Sequence, residues 1–410
     1  MPEPAAPDPV PEPAPADGEP TPADGEPTPL IRVPTFQVHG FISEGAFVST
    51  ANDYIGKSSR GSVALFEAGL NVSTELADRL RAGMQLYGRD VGQFRDLPPR
   101  LDWAYIDYHW KRWLGVRAGI IKMPFGLYNE YSDIDSARTA ILMPQAVYPL
   151  ADRSALLAHT GFALYGEHAL GGAGTIEYQA WLGTLNIPDN ALELTGGTLD
   201  EVDTKYVTGA QVFWRAPVEG LRIGATYLRA SFDFKLTLDD ALSQQLIMLG
   251  YVPPTFDGKI VITQHPDTLL IGSVEYTKDD WLFAAEYSRW FKRQRSTLPE
   301  AVFPPLDDDA ERFYVLATRR LNEHVELGGY VGMVHLDVGD RQGEDEMKFK
   351  KRFYAFQRDY AVSARFDVNG HWLWKLEAHF IDGAADLFAG QNPDPERYWG
   401  MFLVKTTVTF

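Results

Sequence analysis

The 410-residue sequence contains no cysteine. Disulfide scaffolds, thiol catalysis and cysteine-ligated zinc or iron–sulfur centres are therefore excluded. No run approaches the ~18 apolar residues that a membrane helix needs. The longest uncharged stretch, around Met143, is broken by Pro144 and Pro149, which excludes a helical membrane protein. Basic charge is scarce: 38 Lys and Arg against 56 Asp and Glu leave a formal charge of −18. Nothing offers phosphates a broad basic surface, which argues against nucleic-acid binding. After Met1 come Pro2, Glu3 and Pro4, without the basic start and apolar core of a leader; we expect that a leader was removed and Met1 added. What is plentiful is aromatic, with 23 Phe, 19 Tyr and 10 Trp. In so acidic a chain this fits a large apolar outer surface bounded by interfacial rings.

Residues 1–33 differ from the rest, with seven acids against the single base Arg32 and a repeated PADGEPT at 15–21 and 22–28. Such a segment buries too little surface to offset its ordering entropy, so it is expected to be disordered and locally polyproline-like. It reads either as a spacer reaching a partner or as a solubilising tail with none.

From residue 34 onward the period is two. At the C-terminus Tyr398, Gly400, Phe402, Val404, Thr406, Val408 and Phe410 fall on one face, and Trp399, Met401, Leu403, Lys405, Thr407 and Thr409 on the other. Counting such runs predicts sixteen strands: 35–49, 62–73, 78–90, 100–110, 114–123, 159–169, 175–186, 204–215, 220–234, 267–278, 281–292, 312–320, 324–337, 356–367, 371–382 and 398–410. Their connections alternate between short turns and long loops, the long ones at 50–61, 91–99, 124–158, 187–203, 235–266, 293–311, 338–355 and 383–397. A soluble sandwich would explain the alternation but not the loop asymmetry. The expectation is an all-β, antiparallel up-and-down barrel, residues 34–410, with its apolar face to lipid and its polar face to a wet lumen.

The terminal Phe410 on an alternating strand resembles the signal read by the outer-membrane assembly machinery. The stretch Val116–Tyr131 (VRAGIIKMPFGLYNEY), followed by Asp133, Ala137-Arg-Thr139, LMPQ at 142–145, Val147-Tyr-Pro149 and Gly161–Gly166 (GFALYG), resembles the fifth strand, inward loop and sixth strand of Gram-negative porins. It is most similar to the branch grouped with phosphate-selective porins. The resemblance implies a sixteen-stranded, trimeric, water-filled channel in the bacterial outer membrane. Its third long loop, 124–158 here, would fold inward. The surroundings would be outer-membrane lipid and lipopolysaccharide, with the tail in the periplasm beside any partner it has. The loop has no lysine-rich run to argue for phosphate itself.

A porin selects by width and by charge at its narrowest point. The loop offers Glu130, Asp133, Asp135 and Asp152 with Arg138 and Arg153. On the wall, Arg79 and Arg81 alternate with apolar neighbours and so face the lumen, as does Arg117 by the same parity; Lys122 ends its strand. Acids facing bases would set up a transverse field that favours dipolar solutes. The competing reading is that these groups pair only to pin the loop. Parity also turns Glu67, Asp107, Glu177, Gln179, Gln211, Arg222, Glu275, Glu286, Ser363, Arg365, Lys375, Glu377 and Lys405 inward, as ordinary wall hydration.

The acids Asp307–Asp309 with Glu311, and Glu344–Glu346, lack the spacing of a calcium loop, and the nine His form no zinc motif, so neither a metal nor a cofactor is expected. There is no GxSxG and no Ser–His pair with an orienting group, so no enzyme is expected. Three functions compete: passive diffusion of small hydrophilic solutes and ions, an anion-selective channel for solutes such as phosphate or organic acids, and an envelope tether acting through residues 1–33.

Overall fold

The computed structural model describes residues 35–185, 196–388 and 390–410; the tail expected over 1–33 lies outside the described residues. Sixteen strands form a closed antiparallel barrel. They are β1 (Phe36–Ser49), β2 (Leu65–Ala77), β3 (Leu80–Val91), β4 (Phe94–Lys111), β5 (Leu114–Lys122), β6 (Ala158–Ala169), β7 (Thr175–Leu185) and β8 (Gly197–Arg215). The second half comprises β9 (Leu221–Leu238), β10 (Lys259–Lys278), β11 (Trp281–Ser296), β12 (Leu306–Arg320), β13 (Val325–His335), β14 (Phe356–Asn369), β15 (Trp372–Gly383) and β16 (Tyr398–Thr409). Each strand pairs with its sequence neighbours, and β1 pairs with β16 from Phe41 opposite Thr409 to Ser49 opposite Met401. Gly40 N–H donates to Phe410 O at 2.9 Å and Phe410 N–H returns to Gly40 O at 3.0 Å. Closure leaves no strand edge unpaired, the condition for crossing a bilayer with strands.

The alternation read from the sequence is the alternation of the two faces. Phe162, Val315, Val362, Phe380 and Phe402 point outward and are exposed. Aromatic pairs stand at the short-turn end, Trp110 with Trp113, Trp281 stacked on Phe283, and Trp372 with Trp374. The inner face, expected to be polar and wet, is mixed instead. Trp399, Met401 and Leu403 precede Lys405 and Thr407 on the inward side of β16, and all five are buried. Trp399, Met401 and Leu403 pack with Phe47, Tyr54, Ile55, Leu65, Ile141 and Leu142. A second apolar cluster joins Met123, Phe125, Leu127, Val147 and Tyr148 to Trp181, Val207, Leu228, Leu269, Ile271 and Tyr314. Period two fixes which side a residue faces; it does not say what lies on that side.

Two connections differ from expectation. The long loop expected at 91–99 is a tight hairpin at Gly92 and Gln93, with β4 running on through Pro98 and Pro99. The register passes from Asp96, opposite Arg89, to Arg100, opposite Tyr87, so the two prolines fall in a bulge where no ladder N–H is needed. On the other side of the barrel, β8 to β12 extend beyond their expected ends. Charged residues among those added pair across strands, as in Lys235 with Glu201 at 2.8 Å and with Asp203 at 3.8 Å, and Arg295 with Asp307 at 2.9 Å. The short helix α1 (Asp240–Met248) covers this extension by packing Leu246 against Leu236, Val252, Ile260 and Leu298. The acids weighed as calcium ligands are engaged there by bases: Asp307 by Arg295, Asp309 by Arg293 and Glu311 by Arg341.

Candidate functional site

The connection from β5 to β6, residues 123–157, is the longest between strands. It turns at Gly126, whose φ of +59° lies in the left-handed region. A Cβ there would stand 2.4 Å from the Tyr148 hydroxyl and 2.8 Å from Glu286 Oε1, so the position needs glycine. That close approach serves a carboxylate on β11. Glu286, 2% exposed, accepts the Leu127 N–H at 2.9 Å, the Ser273 hydroxyl at 2.5 Å, the Tyr314 hydroxyl at 2.8 Å and the Tyr148 hydroxyl. Nearby, Tyr128 donates to Glu275 at 2.9 Å and the Gln211 amide to Gly126 O at 2.8 Å. Asn129 ties the two ends together by donating to Met123 O at 2.8 Å and Leu156 O at 3.0 Å.

Further along, the same segment is held by the opposite run of strands. Asp135 Oδ1 lies 3.0 Å from Lys375 Nζ and 3.4 Å from Lys405 Nζ, and Oδ2 accepts the Thr407 hydroxyl at 2.5 Å. Lys375 also donates to Asp135 O at 2.6 Å and Ala140 O at 3.1 Å, and is 0% exposed. Glu377 accepts the N–H groups of Ile141 and Leu142, and His379 bridges Glu377 at 2.8 Å and Asp359 at 2.9 Å. Thr139 donates to Glu326, and Arg365 to Ser136 O at 2.5 Å. Charge-assisted bonds of this kind are strong where water is excluded, and an unmade one is costly.

The expected site residues separate into three groups. Lys122, Asp133, Asp135 and Arg138 take part in seating the segment. Lys122 donates to Asp133 and to Glu130 O at 2.9 Å, Gln85 donates to Asp133 at 2.5 Å, and Arg138 donates to Ser132 O at 2.6 Å. Burial works to raise the Asp133 and Asp135 carboxyls; the ammonium groups of Lys122 for Asp133 and of Lys375 and Lys405 for Asp135 outweigh it, and both lie below the ordinary carboxylate value. Burial pushes the Glu130 carboxyl up, against the pull of the Arg117 guanidinium.

The second group is a strip on the wall. Register sets Arg81 opposite Asp107, and Asp107 opposite Arg117. Arg117 Nε lies 3.1 Å from Asp107 Oδ2, its Nη1 3.9 Å from Glu130, and its guanidinium 4.4 Å above the Tyr165 ring. Arg81 donates to Ser73 at 3.0 Å and is exposed. Arg153, the loop's other base, pairs with Asp102 at 3.4 Å across the Tyr87 ring.

The third group falls away from both. Arg79 stands in the β2–β3 turn with φ +65° and donates to Trp110 O at 3.0 Å; strand parity does not apply there. The Asp152 side chain lies outside the described residues. Sequence reasoning placed Glu286, Glu326, Lys375, Glu377 or Lys405 inward, or passed over them, without seeing that they receive the loop. Parity was the available signal; the partners lie more than 100 residues away in sequence.

Toward the short-turn end the segment covers two cavities of about 330 and 340 Å³. The first is bounded by Arg112, Arg117, Tyr165, Gln179 and Arg215, the second by Thr139, Met143, Glu275, Glu326 and Tyr330. Leu127, Tyr131 and Arg222 line both.

Neither a family model nor a curated protein matches this sequence. Solved structures do. The outer-membrane channel DcaP of Acinetobacter baumannii superposes with a TM-score of 0.55 at 11% identity, over 92% of this chain and 97% of that one. This is the porin fold. An anion-selective porin from Comamonas acidovorans gives 0.56 at 11% identity over 92% and 100% of the two chains. The trimer form of OmpT from Vibrio cholerae gives 0.52 at 11% over 92% and 100%. At such identity what is shared is the porin fold, a closed sixteen-stranded barrel, and side-chain roles must be argued from this chain alone.

Proposed function

We propose that this protein is an outer-membrane porin that forms a water-filled channel for small hydrophilic solutes and ions. The observation that carries the reading is the closed barrel with exposed apolar side chains around its outer face and charged groups within. A continuous apolar exterior on this scale has no aqueous solution, and aromatic pairs at the short-turn end suit the boundary between lipid and water. Segment 124–158 is the constriction in this reading, supported by its bonds to strands on both sides of the barrel. Arg81, Arg117 and Glu130 are its selectivity charges, and Lys122, Asp133, Asp135 and Arg138 hold it in place. The resemblance of residues 116–166 to the phosphate-selective branch extends to the fold of this region and not to phosphate. Assembly as a homotrimer, contact with lipopolysaccharide and a periplasmic position for residues 1–33 belong to the same reading.

Purified protein added to planar lipid bilayers should give discrete conductance steps with a measurable reversal potential in a salt gradient. Insertion verified by protease protection, without any conductance or solute flux into vesicles, would end the channel reading.

A further inference from the structure

Resting on the porin reading, the geometry points to a solute-binding site at the junction of the two cavities, where Arg222 receives the carboxylate of a flat, hydroxylated acid the size of a hexuronate. The argument begins with which charges are already satisfied. In the first cavity Arg112 is paired with Glu167, Arg117 with Asp107, and Arg215 with Glu177. In the second, Glu326 accepts from Thr139 and Arg320, and Glu275 accepts from Tyr128. Arg138 gives its terminal nitrogens to the carbonyls of Ser132 and Ile141.

Arg222 differs. Among the described residues its guanidinium makes no hydrogen bond: Glu275 Oε1 lies 3.6 Å from Nη2, the other Glu275 oxygen accepts from Tyr128, and Nε, like that of Arg138, is buried without a partner. The side chain is 25% exposed and lines both cavities, so its terminal N–H groups are the donors that a ligand oxygen can take up. The Phe213 ring, 4.3 Å from the guanidinium carbon, backs it from one side and limits its motion. A planar guanidinium held in this way suits a carboxylate, which it meets with two parallel N–H donors.

The body of the solute follows from what stands beside Arg222. Tyr131 lines both cavities and is 53% exposed, so it offers a flat apolar face to a ring. Gln179 and Gln211 line the first cavity, and a space of about 330 Å³ is at the small end of small-molecule sites. An inorganic anion would leave the Tyr131 ring uncovered, and a neutral sugar would offer the Arg222 donors only uncharged hydroxyl oxygens. A sugar acid meets both.

The test uses the full-length protein with sodium glucuronate as probe, glucose as its neutral counterpart and chloride as the small anion. Binding is read by saturation-transfer NMR in detergent micelles, and passage by current fluctuations in planar bilayers. Glucuronate should bind and interrupt the current where glucose does not. Arg222→Gln should weaken glucuronate by about 10-fold or more, the factor that 1.4 kcal/mol represents. Arg222→Lys should retain part of the affinity, and Tyr131→Ala should weaken glucuronate while leaving chloride permeation unchanged. Equal behaviour of glucuronate and glucose, or an Arg222→Gln protein that binds glucuronate as the parent does, overturns the site while leaving the channel reading intact. Glucuronate binding that is lost in Arg222→Gln, in a protein without conductance, upholds the site and removes the channel reading. Should Arg222→Gln fail to fold, Arg222→Lys and Tyr131→Ala decide the question alone, and unchanged affinity in both overturns it.

Discussion

Asp135 lies between two ammonium groups, Lys375 and Lys405, that are almost without solvent. Removing its charge leaves those cations buried with less compensation, a change that typically costs about 3–5 kcal/mol. Asp135→Asn should therefore unseat segment 123–157 without dissolving the barrel, seen as new protease cleavage inside the segment and noisier single-channel current. Acid should act in the same direction. A carboxyl held below its ordinary value adds stability that is complete above that value and is lost as the pH falls toward the folded one. For Asp133 and Asp135 the ordinary value is 3.8, so cleavage of the segment should increase below about pH 4. The wall strip makes a separate expectation. Arg117→Ser leaves Asp107 without its partner, and Arg81→Ser removes a neighbouring charge, so both should shift the reversal potential toward cations. Glu130→Gln should shift it the other way. An unchanged reversal potential in all of them would place the selective charges elsewhere.

At the scale of the element, much was legible before the structure. The alternation of β14 to β16 and the rhythm of short and long connections gave the strand number, because inward and outward positions differ in chemistry. The extension of β8 to β12 was not legible. Lys235, Glu201, Arg295 and Asp307 carry charge in the added residues, so the apolar half of the pattern stops although pairing continues. Pro98 and Pro99 read as a loop in the sequence because a bulge is invisible to a count of period two. The candidate site was half legible: the position of Arg117 followed from parity, while the seating of Ile141 and Leu142 on Glu377 could not, since no spacing in the sequence connects them. The extension offers its own experiment. Leu246→Ala removes a buried side chain that holds α1, which should cost about 2–5 kcal/mol locally. Hydrogen exchange in residues 236–262 should quicken while β1, β15 and β16 keep their protection; equal loss in both regions would mean that the extension and the barrel melt as one unit.

For the whole molecule, the outer face is the solvent test. Val362 points outward from the middle of β14 and is 65% exposed. Val362→Arg should cost about 2–4 kcal/mol of folding free energy in lipid vesicles, the expectation for a charge near the bilayer midplane. A cost near zero would show that this position does not meet hydrocarbon.

Closure through β1 and β16 has a consequence for the order in which the chain is written. Because Gly40 and Phe410 exchange both of their hydrogen bonds, each strand has two neighbours and none is structurally first. A gene opened between β11 and β12, at residues 297–305, and spliced from Phe410 to Thr35 through a short linker would encode the same ring of contacts from a different starting point. Such a permuted chain should reach the same closed barrel, but with Lys375 and Lys405 synthesised before the segment that carries Asp135. The native order makes the segment first and its last anchors nearly at the end, so the folded barrel is indifferent to a sequence of events that the growing chain is not.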